Sequence, residues 1–265
     1  MVRLLPGYLI SLADRQIQQI INQFFKDDKE KNMIYFAHRG LSEHAPENTM
    51  AAFQMAVQAG AKAIELDVQR TKDGEIVVMH DFYLGRTNNG QGLLKDHSYQ
   101  ELSRLDAGSW FDPAFAGEKM PLLKEVMAQI PADILINIEL KKPAIEENQD
   151  LAEKVVEIIH QYPRPVLVSS FDHYLLKNVQ ALDQSIPLGL LYCSNLIDVF
   201  QYAEQSGLKI AAIHPSIEYV SPALIQRAHD LGIQVNIYTI RRPEEVKLLE
   251  QWQADGIFVN TFAIV

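Results

Sequence analysis

The stretch Ala63–His80, AIELDVQRTKDGEIVVMH, decides the reading of this chain. Ile64, Leu66 and Val68 form one face of a strand, and Glu65 and Asp67 share the other, because side chains alternate with a period of two. Asp73-Gly74 is a hairpin signal between two strand-like runs, so Glu75–His80 should return antiparallel to its neighbour. Pairing about Asp73-Gly74 would set Lys72 opposite Glu75 and Asp67 opposite His80. Outward from here, short β-branched runs alternate with helix-period segments. Strands are expected at Ile34–His38, Ala63–Val68, Ile134–Glu139, Val166–Ser169, Leu188–Tyr192, Ile210–His214, Gln234–Tyr238 and Gly256–Asn260. Helices are expected near Asn48–Ala59, Leu122–Gln129, Glu147–Gln161, His173–Leu182, Leu196–Ser206, Pro222–Leu231 and Pro243–Gln253. Eight strands separated by helices point to an α/β fold of the (β/α)8 TIM-barrel type with a hairpin extension after the second strand. An open doubly wound sheet is the alternative.

At 265 residues the chain suits one such barrel, placed at residues 33–265. Residues 82–120 are glycine-rich and polar, and read as an irregular insertion on the face where the hairpin ends. Residues 1–32 stand apart as an N-terminal extension. Apolar positions between Tyr8 and Phe25 have helical spacing, which predicts a helix packed on the barrel or on a neighbouring subunit of a homo-oligomer. The net charge of -10 argues against a nucleic-acid partner. No apolar run approaches the roughly 20 residues of a membrane span. The single cysteine, Cys193, excludes an internal disulfide, and with no secretory signal a cytoplasmic location is expected.

The reactive groups of a β/α barrel sit at the C-terminal ends of its strands. His38 and Arg39 end the first strand, Glu65 and Asp67 the second, and Glu139 the third parallel strand, with Lys141 just beyond. The hairpin brings His80 to the same rim. Three carboxylates there would repel strongly without a positive charge between them. Glu65, Asp67 and Glu139 make an all-oxygen set, suited to one hard divalent cation such as Mg²⁺ or Ca²⁺. His38 and His80 suit general acid–base work, with His38 as base and His80 as acid. Arg39 and Lys141 would hold a phosphate. Each group also has a structural reading: a strand-end histidine can be a hydrogen bonder, and Glu-x-Asp a surface pair. Glu47 and Asn48 read equally as site residues or as the start of a helix. His44, His97, His160, His173, His214 and His229 do not converge in this way, although His214 ends the sixth parallel strand.

The ordered motifs Ala37-His38-Arg39-Gly40, Pro46-Glu47-Asn48-Thr49, Glu65-Leu66-Asp67-Val68, Thr71-x-Asp73-Gly74, His80-Asp81 and Arg86-Thr87 resemble the glycerophosphodiester phosphodiesterase family. So do Leu105-Asp106-Ala107-Gly108-x-Trp110-Phe111, Glu139-x-Lys141, Ser170-Phe171-Asp172 and Ala254-Asp255-Gly256-Ile257. The resemblance implies hydrolysis of small glycerophosphodiesters to sn-glycerol 3-phosphate and an alcohol. It assigns the metal to Glu65, Asp67 and Glu139, acid–base roles to His38 and His80, and the phosphate to Arg39 and Lys141. Phe171 and Tyr238 would line the glycerol side. Arg241 stands where the family often has an amide. A lysophospholipid or other phosphodiester substrate is the nearest rival, with Tyr83, Leu84, Trp110, Phe111 and Phe115 as an acyl apron. A catalytically silent binding barrel and a sugar isomerase or aldolase on the same fold are the alternatives from other classes.

Overall fold

The computed structural model describes residues 33–142 and 150–265. The expected N-terminal helix, and the first residues of the helix expected from Glu147, lie outside them. Nine strands appear in chain order: β1 Ile34–His38, β2 Ala63–Arg70, β3 Ile76–Val78, β4 Leu135–Leu140, β5 Val166–Ser170, β6 Leu188–Tyr192, β7 Ala212–Pro215, β8 Gln234–Ile240 and β9 Gly256–Val259. All except β3 pair in parallel, and β1 joins both β9 and β2, so eight strands close into a barrel. Closure rules out the open doubly wound sheet. Helices are α1 Met50–Gln58, α2 Tyr99–Leu102, α3 Leu123–Gln129, α4 Leu151–Gln161, α5 His173–Leu182, α6 Val199–Gln205, α7 Pro222–Asp230 and α8 Pro243–Gln251; all but α2, a short helix inside the insertion, follow the expected order. Thr49, Asp172 and Ser221 cap α1, α5 and α7 by accepting from backbone N–H groups of the first turn.

Period-two alternation sorts the strand residues. Ile64, Leu66, Val68, Ile136 and Ile138 face the helices in the main core. Phe36, Ala63, Leu135, Leu167, Ala212 and Phe258 fill the barrel interior, with the Phe36 and Phe258 rings stacked 4.7 Å apart. Two residues further along the strands the interior turns polar, with Glu65 beside Asn137 and, one layer higher, Asp67 beside Glu139 beside Ser169. The apolar plug at one end thus supports a polar layer at the other.

Two local expectations are corrected. The hairpin pairs Val68 with Val78 and Arg70 with Ile76, one residue out of the expected register. Gly74 has φ +87° and its N–H bonds to the Thr71 carbonyl, so the loop holds three residues rather than two. Asp67 therefore lies across from Met79, whose N–H it accepts at 2.9 Å. Helix α6 starts at Val199 rather than Leu196, because Asp198 caps it by accepting from the N–H groups of Phe200 and Gln201. The 82–120 insertion has its own small core of Leu84, Leu94, Leu102, Ala107 and Met120. Asp106 stitches it by accepting from the N–H groups of Gly108, Ser109 and Gly117.

Candidate active site

The first loop shows how local sequence sets the rim. Arg39 has φ +58° and Gly40 φ +82°, and a Cβ on Gly40 would lie 2.6 Å from the Ala52 backbone. Glycine is therefore required where β1 turns into α1. The left-handed turn at Arg39 aims its N–H at Glu65 Oε2, 2.9 Å away. Its guanidinium lies 2.9 Å from Glu47 and 3.3 Å from Asp67.

His38, Arg39, Glu65, His80, Glu139, Phe171 and Tyr238 line one cleft of about 210 Å³ at the C-terminal mouth of the barrel. Asp67 and Lys141 sit behind this lining: Asp67 is wholly buried, and Lys141 Nζ lies 3.0 Å from Glu139 and 3.7 Å from Asp67. The Phe171 and Tyr238 rings meet edge to face at 5.8 Å, and Tyr238 Oη donates to the Tyr192 carbonyl. In the insertion, the Phe111 ring meets those of Trp110 and Phe115 edge to face, and Leu84 is buried. None of the residues that the rival reading offered as an acyl apron lines the cleft. Arg241 is exposed and also lies off the cleft lining.

Ligand oxygens of Glu65, Asp67 and Glu139 all lie within 4.8 Å of one another. At that spacing two ionised carboxylates repel by about 3.5 kcal/mol at an effective dielectric constant of 20. Burial and the neighbouring charge of Asp67 push the Glu65 carboxyl well above its usual range and Glu139 up to about 7. Burial would raise Asp67 too, but the cations of Arg39 and Lys141 outweigh it and hold that group ionised. Glu65 Oε1 and Asp67 Oδ1 are buried without a hydrogen-bond partner. Oxygens left unpaired in a buried acidic cluster are what a hard divalent cation needs, so the residues fit one.

The two imidazoles differ in their partners. His38 Nδ1 lies 2.7 Å from Asn260 Oδ1, which directs its Nε2 toward the cluster, 3.9 Å from Glu65 Oε2. Burial and the charge of Arg39 hold the His38 pKa down, to about 4. His80 Nδ1 lies 2.7 Å from the Asp81 carboxylate. Burial lowers its pKa as well, against the opposing pull of Asp67. Asp81 is in turn held by Arg86, which also binds Glu47. A chain of charges, Arg39–Glu47–Arg86–Asp81, therefore runs from the first loop to His80.

Two contributions escaped the sequence reading. Asn260 holds His38 from 222 residues away. Gln69, buried on the same strand face as Glu65 and Asp67, places its amide nitrogen 2.8–3.2 Å from the carbonyls of Met79, His80 and Asp81. That clamp fixes the backbone carrying His80. Its signal was the continued 65, 67, 69 alternation. Glu47, weighed evenly against a helix start, pairs with Arg39 and Arg86 beside the cleft, while Thr49 does the capping. Asn48 donates to Asp67 Oδ2 at 2.8 Å from a left-handed backbone, φ +59°.

Comparison with known proteins bears on this arrangement directly. The glycerophosphoryl diester phosphodiesterase family matches residues 38–263, a range that spans every residue of the rim. A glycerophosphodiester phosphodiesterase from Caldanaerobacter subterraneus subsp. tengcongensis is 38% identical over 230 residues, covering 86% of this chain and 93% of its own. Among solved structures, an Oleispira antarctica phosphodiesterase in complex with the product sn-glycerol-3-phosphate is similar at 31% identity. It has a TM-score of 0.81 and covers 86% of this chain and 93% of its own. A glycerophosphodiester phosphodiesterase from Thermotoga maritima follows at 28% identity and TM-score 0.68, covering 87% and 95%. A barrel with this rim, matched along nearly its whole described length, belongs to the glycerophosphoryl diester phosphodiesterase family.

Proposed function

We propose that the chain is a metal-dependent phosphodiesterase that hydrolyses glycerophosphodiesters to sn-glycerol 3-phosphate and an alcohol. The observation that carries this reading is the convergence of two imidazoles, three carboxylates and a guanidinium on one cleft mouth. The relative solved with sn-glycerol-3-phosphate supports the substrate class. Glu65, Asp67 and Glu139 would hold Mg²⁺ or Ca²⁺. When bound, such an ion supplies positive charge that polarises the phosphoryl group. Arg39, with Lys141 behind it, adds cationic charge for the non-bridging oxygens.

The partners of the histidines divide their labour. His38 rests on a neutral amide and stays neutral near pH 7, so its Nε2 takes the proton of the nucleophile. His80 rests on the Asp81 carboxylate, which offsets part of the lowering that burial imposes on its pKa, and it hands a proton to the leaving alkoxide. The nucleophile is water or a glycerol hydroxyl, and the second case would release a cyclic phosphate first. Replacing either histidine by asparagine should lower kcat by about 100-fold or more, the scale of lost general acid–base catalysis, while Mg²⁺ binding followed by calorimetry persists. Full activity in both variants would refute the assignment. Substrate choice is tested by comparing glycerophosphocholine with lysophosphatidylcholine, and the first should be preferred.

A further inference from the structure

Below the reactive rim, the floor of the cleft carries polar groups that the reaction as derived does not use. His214, near the end of β7, is wholly buried and lines the cleft. Asn236 donates its amide Nδ2–H to His214 Nε2 at 3.2 Å, which puts the imidazole proton on Nδ1. His214 Nδ1 is buried and has no partner. Asn137, also buried and also lining the cleft, donates from Nδ2 to Ser169 Oγ at 3.0 Å. Its Oδ1 is likewise without a partner.

The barrel makes room for this arrangement. A Cβ on Gly189 would lie 2.6 Å from Cε1 and Nε2 of His214, and one on Gly256 would lie 2.5 Å from Asn236 Oδ1. The absence of side chains at these two inward positions seats the imidazole and the amide that orients it. Burial pushes the His214 pKa down to about 3, so the ring is neutral throughout the working range. One unfilled donor and one unfilled acceptor, both uncharged, do not suit a phosphate or an ammonium group. They suit alcohol hydroxyls, which accept from N–H and donate to an amide oxygen. A buried polar group left unpaired is costly, so a site built this way favours ligands that fill it.

We propose that His214 and Asn137 form a hydroxyl-binding subsite on the barrel floor that selects the glycerol moiety of the substrate. This inference rests on the glycerophosphodiesterase reading and deepens it. In it, His214 is a specificity residue that touches substrate, and Gly189 and Asn236 are positioning residues.

The test measures binding of sn-glycerol 3-phosphate and of propyl phosphate, which lacks both hydroxyls, to the Mg²⁺-loaded full chain by calorimetry. Wild type should prefer sn-glycerol 3-phosphate, and His214→Leu should cut that preference by about tenfold, the scale of one lost buried hydrogen bond. Propyl phosphate affinity should stay within about twofold, which also reports an intact barrel. Gly189→Ala, which keeps the imidazole but displaces it, should shift the ratio in the same direction. An unchanged ratio in both variants, or equal loss of both ligands, overturns the subsite. If wild type still releases sn-glycerol 3-phosphate from glycerophosphocholine, that failure belongs to the subsite alone. No turnover and no binding of either ester by wild type would overturn the phosphodiesterase reading and the subsite with it.

Discussion

Glu139 offers a quantitative test of the acidic cluster, through the substitution Glu139→Gln studied without metal. Burial and Asp67 raise the Glu139 carboxyl from 4.5 to about 7 in the folded chain. The folded protein therefore keeps this proton over a range in which the unfolded chain has released it, and stability falls as pH rises through that window. The contribution is fully present below about pH 4.5 and gone above about pH 7. At about 1.4 kcal/mol per pH unit, the interval amounts to roughly 3 kcal/mol. Glutamine keeps the size, accepts from Lys141 and never ionises. In EDTA, the two proteins should be equally stable near pH 4.5, and the variant should become about 3 kcal/mol more stable by pH 7.5. For a domain of this size that is about 6–12 °C in Tm. Differencing the two proteins cancels the titrating groups outside the acidic cluster. Mg²⁺ at about 100 times its Kd should then stabilise wild type by about 2.7 kcal/mol at pH 7.5 and the variant far less. A gap independent of pH, or a variant less stable than wild type at pH 7.5 in EDTA, would show that Glu139 does not hold its proton in the folded chain.

Other substitutions separate catalysis from architecture. Asn260→Ala should lower kcat about tenfold or more with KM little changed, since it frees the His38 ring, and steady-state kinetics on glycerophosphocholine would show it. Asp81→Asn removes the carboxylate behind His80 and should depress kcat most on the alkaline side, where an unsupported imidazolium loses its proton first, as a pH–rate profile would record. Arg164, buried with its guanidinium on the carbonyls of Met127, Ile130 and Pro131, caps the end of α3. Arg164→Met should cost about 2–4 kcal/mol in urea unfolding while the surviving folded enzyme keeps its kcat. Gly40→Ala places a Cβ 2.6 Å from Ala52 at φ +82° and should lower both soluble yield and Tm, measured by thermal melting.

What the sequence disclosed follows from period and position. Charged residues at 65, 67 and 139 alternate with apolar ones on their strands, and in a closed barrel that alternation turns all three inward beneath one rim. The structure brings them within 4.8 Å by strand register alone. What escaped depends on contacts that no local pattern encodes. The Asn260 bond to His38 exists because β9 closes against β1, and closure is a property of the whole sheet. Gln69 looks like any strand amide until the hairpin folds its partner carbonyls over it. The hairpin register turned on Gly74, whose left-handed φ lengthens the loop by one residue, and Asp-Gly alone does not distinguish the two loops. The aromatics of the insertion look like a mouth apron by composition, but they pack on one another and leave the cleft to Phe171 and Tyr238.

Metal-dependent phosphodiester hydrolysis is tested most directly by measuring sn-glycerol 3-phosphate release from glycerophosphocholine by wild type with Mg²⁺, with Ca²⁺ and with EDTA, alongside His80→Ala. Release should require a divalent ion and be abolished in His80→Ala. Release that persists in EDTA, or in His80→Ala at the wild-type rate, would contradict it, as would no release with either metal.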